Sequence, residues 1–475
     1  MTLTGGGPRR RRISCEFPML STASPRSIDL PRRRPLSRLA LSLCIGLGAG
    51  TAGAQALDTA SPALGMVQAV HEAVQTHPGV RNAEQLRLQA GEGVKAARAG
   101  YLPQVRLGLD TQNSSYDNTN YDNARGVYTA TLTASQMLYD FGKVAGQVDR
   151  ARAGVRVGQA QVQLSTDQVA SVTAQAWVDA HLQLILAQIA RDQLDGVQRL
   201  AALVAERVAK GATTRSDLEQ ANSRVEAARS QLLGAQAEAR RASVSLMHLT
   251  GRAEPVVISG DPPNWLTTDA CRVDGTDPDA PSVRLAVAQR DQAQADLRTA
   301  RAQRLPTLSL QGTVGHALND RSRLYGEYEN TSSIGVNLAM PLYEGGGTSA
   351  RARAALYQLN AAEEAAAQAR LETRQNLADA QAQAQGWAQR APVLQARVES
   401  IHATRDLYQQ QYLQMGTRSL LDLLNAEQEF HTARIDQAQG LHEQQRLAVL
   451  CLYNSDRLRS AFGLGAADVA DGVGQ

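Results

Sequence analysis

The chain has 475 residues, of which 43% are hydrophobic and 20% charged, so it is neither intrinsically disordered nor collagen-like. Its net charge of +3 is misleading, because the first 54 residues hold nine arginines against two acidic residues, a surplus of +7 that leaves about −4 for the rest of the chain. This balance excludes a basic nucleic-acid-binding protein.

The first 54 residues are predicted to be an export signal. Arg32–Arg34 and Arg38 precede an apolar run from Leu39 to Gly48, and Ala52–Ala54 offers the small residues of a cleavage site. The apolar run is too short to be a membrane-spanning helix. Because the basic part is unusually long, Met19 is an alternative start of the protein.

The rest of the chain is a unit that occurs twice. Four short motifs recur in the same order at a separation of 203 to 205 residues; residues 77–81 (His-Pro-Gly-Val-Arg), for example, recur at 280–284 as Ala-Pro-Ser-Val-Arg. This pattern predicts a tandem duplication. The predicted parts are a first repeat, a connector rich in Pro, Gly and Asp, a second repeat and a C-terminal tail: 55–253, 254–280, 281–462 and 463–475.

Each repeat begins with a predicted helix and continues with two predicted strands. Helical spacing runs from Pro78 to Pro103 and again from Pro281 to Pro306. Strict alternation of apolar and polar residues follows, in runs of about 10–12 residues, which suits a tilted transmembrane strand. The loops between paired strands, 113–126 and 316–331, are long and polar. The residues predicted to face lipid are Leu107, Leu132, Leu310 and Val336, and those predicted to face the lumen are Arg106, Thr131, Gln311 and Asn337.

Each repeat then continues as helix of unusual length. Gly142 and Gly211 enclose 68 residues, and Gly347 and Gly416 enclose another 68, in which a kink is expected only at Pro392. At 1.5 Å per residue, each helix would be about 100 Å long. Returning helices are predicted over residues 214–249 and 419–461.

The number of strands predicts an oligomer. Four strands cannot close a barrel, because about eight are the practical minimum, and an open sheet edge cannot face lipid. We therefore expect a dimer with eight strands or a trimer with twelve, continued by a helical cylinder of about 100 Å. The predicted fold class is mixed α and β, a duplicated unit with very long antiparallel helices and four transmembrane strands per chain.

Three segments are the most specific in the chain: 138–144 (Leu-Tyr-Asp-Phe-Gly-Lys-Val), 341–347 (Pro-Leu-Tyr-Glu-Gly-Gly-Gly) and 416–427 (Gly-Thr-Arg-Ser-Leu-Leu-Asp-Leu-Leu-Asn-Ala-Glu). They resemble the TolC family of outer-membrane efflux and secretion channels, and the resemblance covers residues 65–463. It implies a homotrimer with a 12-strand barrel in outer-membrane lipid and a 12-helix barrel in the periplasm. Such a duct serves an inner-membrane transporter, ABC or other, and its periplasmic adaptor. The secretion branch, with RTX toxins of the cyclolysin type as substrates, is the closer resemblance.

The same resemblance implies a constricted entrance at the tips of the helix pairs. Arg418 resembles the arginine that links neighbouring helix pairs, and Ser216 and Asp217 resemble its partners. Asp422 resembles an acidic residue of the ring at the constriction. From the residues alone, Arg418 and Asp422 could instead form a surface ion pair, and Asp217 could be a first-turn charge that favours the helix dipole. Two positions depart from the family pattern, Leu413 and Asn425.

The sequence contains no legible catalytic triad, paired acid–base site, cofactor motif or metal-ligand cluster, so we expect no enzyme and no cofactor. His71-Glu72, for example, lacks the second histidine of a zinc-protease motif. A drug or metal efflux duct and a periplasmic adaptor with long helical hairpins are the alternative functions, although an adaptor would not need lipid-facing strands. Cys271 and Cys451 could pair in an oxidising periplasm, but their positions in dissimilar segments favour free thiols.

Overall fold

The computed structural model describes residues 63–114, 125–272, 280–318 and 330–465. All of them belong to the second of two units of the chain, residues 59–475. The predicted export signal, most of the two loops between paired strands and the last ten residues of the chain lie outside the described residues.

The described elements are mostly helical. In chain order, the helices are α1 (Met66–Thr76), α2 (Pro78–Arg98), α3 (Lys143–Ala209), α4 (Arg215–Thr250), α5 (Pro281–Ala302), α6 (Gly347–Gln410), α7 (Leu420–Asn454) and α8 (Leu458–Phe462). The strands are β1 (Gln104–Ser114), β2 (Arg125–Tyr139), β3 (Thr307–Ala317) and β4 (Asn330–Ala339). None of the helices in the described part is long and apolar enough to cross a membrane.

The four predicted strands form one antiparallel sheet with the order β1-β2-β3-β4, so the two repeats meet where β2 pairs with β3. At 15 residues, β2 is longer than predicted. Because β1 and β2 extend further into the polar segment between them, the first loop is shorter than the predicted 113–126. The last strand, β4, ends at Ala339.

The first long helix has the predicted limits. The Asp140 carboxylate accepts hydrogen bonds from the backbone N–H of Gly142 at 3.0 Å and of Val144 at 2.5 Å, which satisfies two of the free donors at the start of α3. Gly142 has a φ of 90°, a conformation that a side chain would disfavour. At its other end the chain leaves the helix through Gly211, with a φ of 69°. The helix spans 67 residues.

The second long helix continues through Pro392, so this residue does not interrupt it. The returning helix α7 differs from the prediction, because it ends at Asn454 rather than continuing to residue 461. The break is at Asp456, whose φ of 59° is incompatible with a right-handed helix. A short helix, α8, follows the break.

The helices pack side by side around α3. The turns between α3 and α4 and between α6 and α7 are called the tips below. In the half of the chain nearer the tips, α3 lies between α4 and α7, and α6 packs on the outer side of α7. On the side of the sheet, α3 lies between α2 and α5, and α6 packs on α5. The neighbours are therefore α4-α3-α7-α6 in one half and α2-α3-α5-α6 in the other. The largest apolar cluster lies where these halves meet, around Trp177, which is fully buried and donates to the carbonyl of Leu64 at 3.0 Å.

The expectation of free thiols at Cys271 and Cys451 was wrong, because the two residues form a disulfide with a Cα–Cα distance of 5.0 Å. The connector folds back across α6 and α7. Arg457 holds it there by donating to the carbonyls of Ala270 at 3.3 Å and Arg272 at 3.1 Å. This arrangement brings together two segments that are dissimilar and distant in the sequence.

Candidate functional site

Two of the predicted entrance residues, Ser216 and Asp217, lie in the first turn of α4, directly after the turn that joins α3 to α4. Thr214 caps α4: its hydroxyl accepts from the Asp217 N–H at 3.2 Å, and the Asp217 carboxylate accepts from the Thr214 N–H at 3.3 Å. Hydrogen bonds from the Thr213 hydroxyl and from Thr214 hold the pKa of the Asp217 carboxyl below its usual value. Ser216 shares a hydrogen bond of 2.8 Å with the Thr214 hydroxyl. Both predicted residues therefore help to shape their own turn.

Of the other two entrance residues, Arg418 lies in the turn between α6 and α7, and Asp422 lies in the first turn of α7. Arg418 donates from Nε to the Gln411 side-chain oxygen at 3.0 Å, and its guanidinium lies 4.4 Å from the centre of the Tyr408 ring. Its Nη1 is 3.8 Å from an oxygen of Asp422. The Ser419 hydroxyl accepts from the Asp422 N–H at 3.1 Å, so Asp422 also lies in a capped first turn.

Within the described residues of one chain, Arg418 makes no hydrogen bond or ion pair with Ser216 or Asp217. The i, i+4 contact with Asp422, the alternative that the sequence left open, is present. The predicted link of Arg418 with Ser216 and Asp217 would therefore have to join two neighbouring chains. This link stays a prediction.

Two arginines that the sequence did not single out connect the tips of the two repeats within one chain. Arg207, in the last turn of α3, donates to the Tyr412 carbonyl at 3.2 Å. Arg224 in α4 donates to the Asn425 side-chain oxygen at 3.4 Å. No local pattern distinguishes these arginines from the other charged residues of the helices, because their partners lie about 200 residues away. Beneath them is a buried apolar cluster formed by Val197, Leu200, Ala201, Val204, Ala221, Tyr412, Leu420, Leu423 and Leu424.

The sheet has one apolar and one polar face. Leu107 pairs with Leu132, Leu132 pairs with Val314, and Leu310 pairs with Val336, so the strand register puts the predicted lipid-facing residues on one face. The side chains of Leu107 and Val336 are 77% and 64% exposed. The predicted lumenal residues occupy the opposite face. Apolar side chains that are this exposed in a single chain are expected to be buried against lipid or against another protein chain.

No cluster of three or more metal-ligating side chains occurs in the part of the chain that the structure describes. The candidate site is therefore defined by the shape of the described chain and by the distribution of its apolar and charged residues. It comprises a sheet with an apolar face at one end of the helices and two polar tips at the other end.

An amphipathic sheet that continues into helices of this length is the architecture of an outer-membrane channel subunit. The family model described as outer membrane efflux protein matches residues 69–252 and 279–455, which is more than half of the chain. The chain thus belongs to this family, and the predicted TolC-family membership is confirmed. It is an outer-membrane protein that extends into the periplasm.

Known relatives are similar along most of their length. Proteases secretion protein PrtF of Dickeya chrysanthemi is 27% identical over 78% of this chain and 84% of its own length. Outer membrane protein TolC of Salmonella enteritidis is 24% identical over 79% of each chain. The solved structure of the outer membrane protein VceC of Vibrio cholerae has a TM-score of 0.69 at 18% identity, covering 82% of this chain and 95% of that chain. The last of these similarities concerns the fold alone.

Proposed function

We propose that the chain is one protomer of a homotrimeric, passive exit duct, with a 12-strand barrel in the outer membrane and a 12-helix barrel in the periplasm. The observation that carries this proposal is that the sheet and the helical layer are open at the same two edges. β1 and α2, which are adjacent in the chain, lie at one edge, and β4 and α6 lie at the other. One rotation can therefore close both layers.

The side chains at these edges support the same assembly. Along α6, Tyr357, Leu371 and Val393 are 66%, 55% and 67% exposed in the single chain, and Leu233 on α4 at the opposite edge is 60% exposed. These two edges are different surfaces, so the contact between copies is heterologous, and such a contact forms a ring when the rotation between copies closes. Three copies supply twelve strands, which is above the practical minimum of about eight.

We also propose the organisation of the mature protein. Residues 1–54 act as a cleaved signal, repeats 55–253 and 281–462 are joined by the connector 254–280, and residues 463–475 form the tail. The same order of helix, two strands, long helix and returning helix in both halves supports this division. The family match, which is interrupted between residues 252 and 279, is consistent with it.

We propose that the duct transports a secreted protein and performs no chemistry. It would receive its substrate from an inner-membrane transporter, ABC or other, through a periplasmic adaptor. The similarity to a proteases secretion protein supports secretion. Efflux of drugs or metal ions is the second candidate, favoured by the description of the family as efflux proteins. An adaptor would have no use for the exposed apolar face of the sheet.

The oligomeric state tests the duct directly. The mature protein should fractionate with the outer membrane and appear as a trimer by native mass spectrometry in detergent. Replacing Val393 with arginine at the proposed edge should reduce the trimer fraction, because it brings a charge into an apolar contact. Arg199→Glu, at an exposed position of α3, serves as the control. A stable monomer, or a dimer as the only oligomer, would contradict the proposal.

The entrance is expected to respond to changes at Arg418 and Asp422. Arg418→Ser should raise single-channel conductance in planar bilayers, because it removes the donors available to a neighbouring tip. Each exposed link is worth only about 0–1 kcal/mol, but threefold repetition can still bias an open–closed equilibrium. Asp422→Ala should weaken block by trivalent cations, since it removes a ring of three carboxylates. Wild-type conductance and wild-type block in both variants would exclude these residues from the gate.

A further inference from the structure

The end of α6 departs from regular helical geometry at the tip. Residues Gln411–Met415 form a π-helical turn. In an α-helix the Gly416 N–H would bond to the carbonyl of Tyr412, four residues earlier. Here it bonds to the carbonyl of Gln411, and the Thr417 N–H reaches the same oxygen at 3.3 Å. The Tyr412 carbonyl is thereby released from the helix.

Arg207 binds the released carbonyl. Its Nη1 donates to the Tyr412 oxygen at 3.2 Å, and its guanidinium lies 4.9 Å from the centre of the Tyr412 ring. The Tyr412 side chain is only 5% exposed and packs in the apolar cluster of the tips. A carbonyl in this environment needs a partner, because leaving it unpaired costs free energy. Arginine can donate to the carbonyl and lie against the ring at the same time.

The π turn also positions Arg418. The Gln411 side chain, at the start of the turn, accepts from Arg418, and Tyr408 in the preceding helical turn lies against the Arg418 guanidinium. A π turn contains one residue more than the α-helical turn it replaces. A change between the two registers would therefore rotate the following residues by about 100° relative to α6. The register at residues 411–415 thus decides where Arg418 points.

We propose that Arg207 is a positioning residue of the entrance: through the Tyr412 carbonyl it holds the end of α6 in the π register and so fixes the place of Arg418. The proposal rests on the proposed function, because it takes the tips to be the entrance of a duct. The turn then has two states. In one state, Arg207 donates a hydrogen bond to the Tyr412 carbonyl. In the other state, the Gly416 N–H donates to this carbonyl and the turn is α-helical.

The first test replaces Arg207 with methionine, which keeps an apolar stem and removes the donors. In the purified mature protein, amide hydrogen exchange of residues 411–418 should become about tenfold faster, the factor expected for a lost hydrogen bond to a charged donor. Arg207→Lys retains a charged donor and should restore slow exchange. Arg199→Met, an exposed arginine on the same helix, is the matched control. Equal exchange in Arg207→Met and Arg199→Met would overturn the proposal.

The second test distinguishes a change of the helical register at residues 411–415 from a general destabilisation of the tips. Deleting the exposed Gln414 removes the extra residue of the π turn and should restore an α-helical end. In this background the Gly416 N–H is four residues from Gln411, so the α-helical register no longer depends on Arg207 and Arg207→Met should change exchange much less than it does in the wild-type background. Independent effects of the two changes would overturn the link to the register. A wild-type protein that forms no pore in bilayers would refute the duct, while the exchange results would still decide the role of Arg207.

Discussion

Replacing Leu310 with arginine is expected to deplete the assembled protein from the outer membrane. Leu310 lies on the apolar face of the sheet, directly opposite Val336 in β4 and Gln136 in β2. If this face is covered by lipid, an arginine costs about 2–4 kcal/mol at the bilayer midplane and less towards the interfaces. In the proposed trimer the change occurs three times in one barrel, which multiplies the cost. The heat-stable oligomer in outer-membrane fractions is the quantity to measure.

The neighbouring residue provides the control. Gln311 lies on the polar face, opposite Ser135 and Gly335. Gln311→Arg introduces the same side chain one position along the same strand. If this face lines a water-filled lumen, the change should be tolerated, because water can solvate the charge. Equal amounts of oligomer in the two variants would mean that the two faces are assigned incorrectly. Depletion by Gln311→Arg alone would mean that the faces are reversed.

The second large effect is expected at Asp167, a buried carboxylate that links the two repeats. It lies on α3 with 2% exposure, and Arg459 approaches it at 3.2 Å. Arg459 and Arg284 both direct their stronger contacts to Asp456, at 2.9 Å and 2.5 Å. Burial raises the pKa of the Asp167 carboxyl to about 7, and Arg459 only partly offsets this effect. Asp167 is therefore a group that titrates near neutral pH.

The direction of its effect on stability follows from proton linkage. The folded protein holds the proton of Asp167 more tightly than the unfolded chain does, so its contribution to stability is largest below pH 3.8 and is lost as the pH rises to about 7. A shift of about three pKa units corresponds to roughly 4 kcal/mol. We expect Asp167→Asn to raise the melting temperature of the protein much more at pH 8 than at pH 5.

Melting curves of the detergent-purified protein at pH 5 and pH 8 measure this difference. Asp149→Asn, at an exposed carboxylate on the same helix, controls for the general effect of removing a negative charge. A gain in melting temperature that is the same at both pH values would contradict a carboxylate that titrates in the folded state. A loss at both would indicate that the contact with Arg459 outweighs the cost of burying the charge.

Elements that depend on local interactions could be predicted from the sequence alone. Alternating apolar and polar residues around Leu107 and Leu310 predict the strands and the separation of apolar from polar side chains, because successive side chains of a strand point in opposite directions whatever the partner is. The long helix between Gly142 and Gly211 was predictable for a similar reason. Its sequence has helical spacing throughout, and glycines with positive φ stand at both ends.

The contacts between residues that are distant in the sequence could not be predicted and became known from the folded chain. The residues of the π turn are equally compatible with an α-helix. A reason for the π turn appears only in the structure, where Arg207 lies beside Tyr412 and donates to its carbonyl. The pairing of Cys271 with Cys451 depends on how the connector folds back. Asp167 is an ordinary polar residue of a long helix until Arg459 and Asp456 enclose it. Propensity and periodicity act over a few residues, whereas these contacts join residues more than 170 positions apart and arise from the packing of the two repeats and the connector against one another.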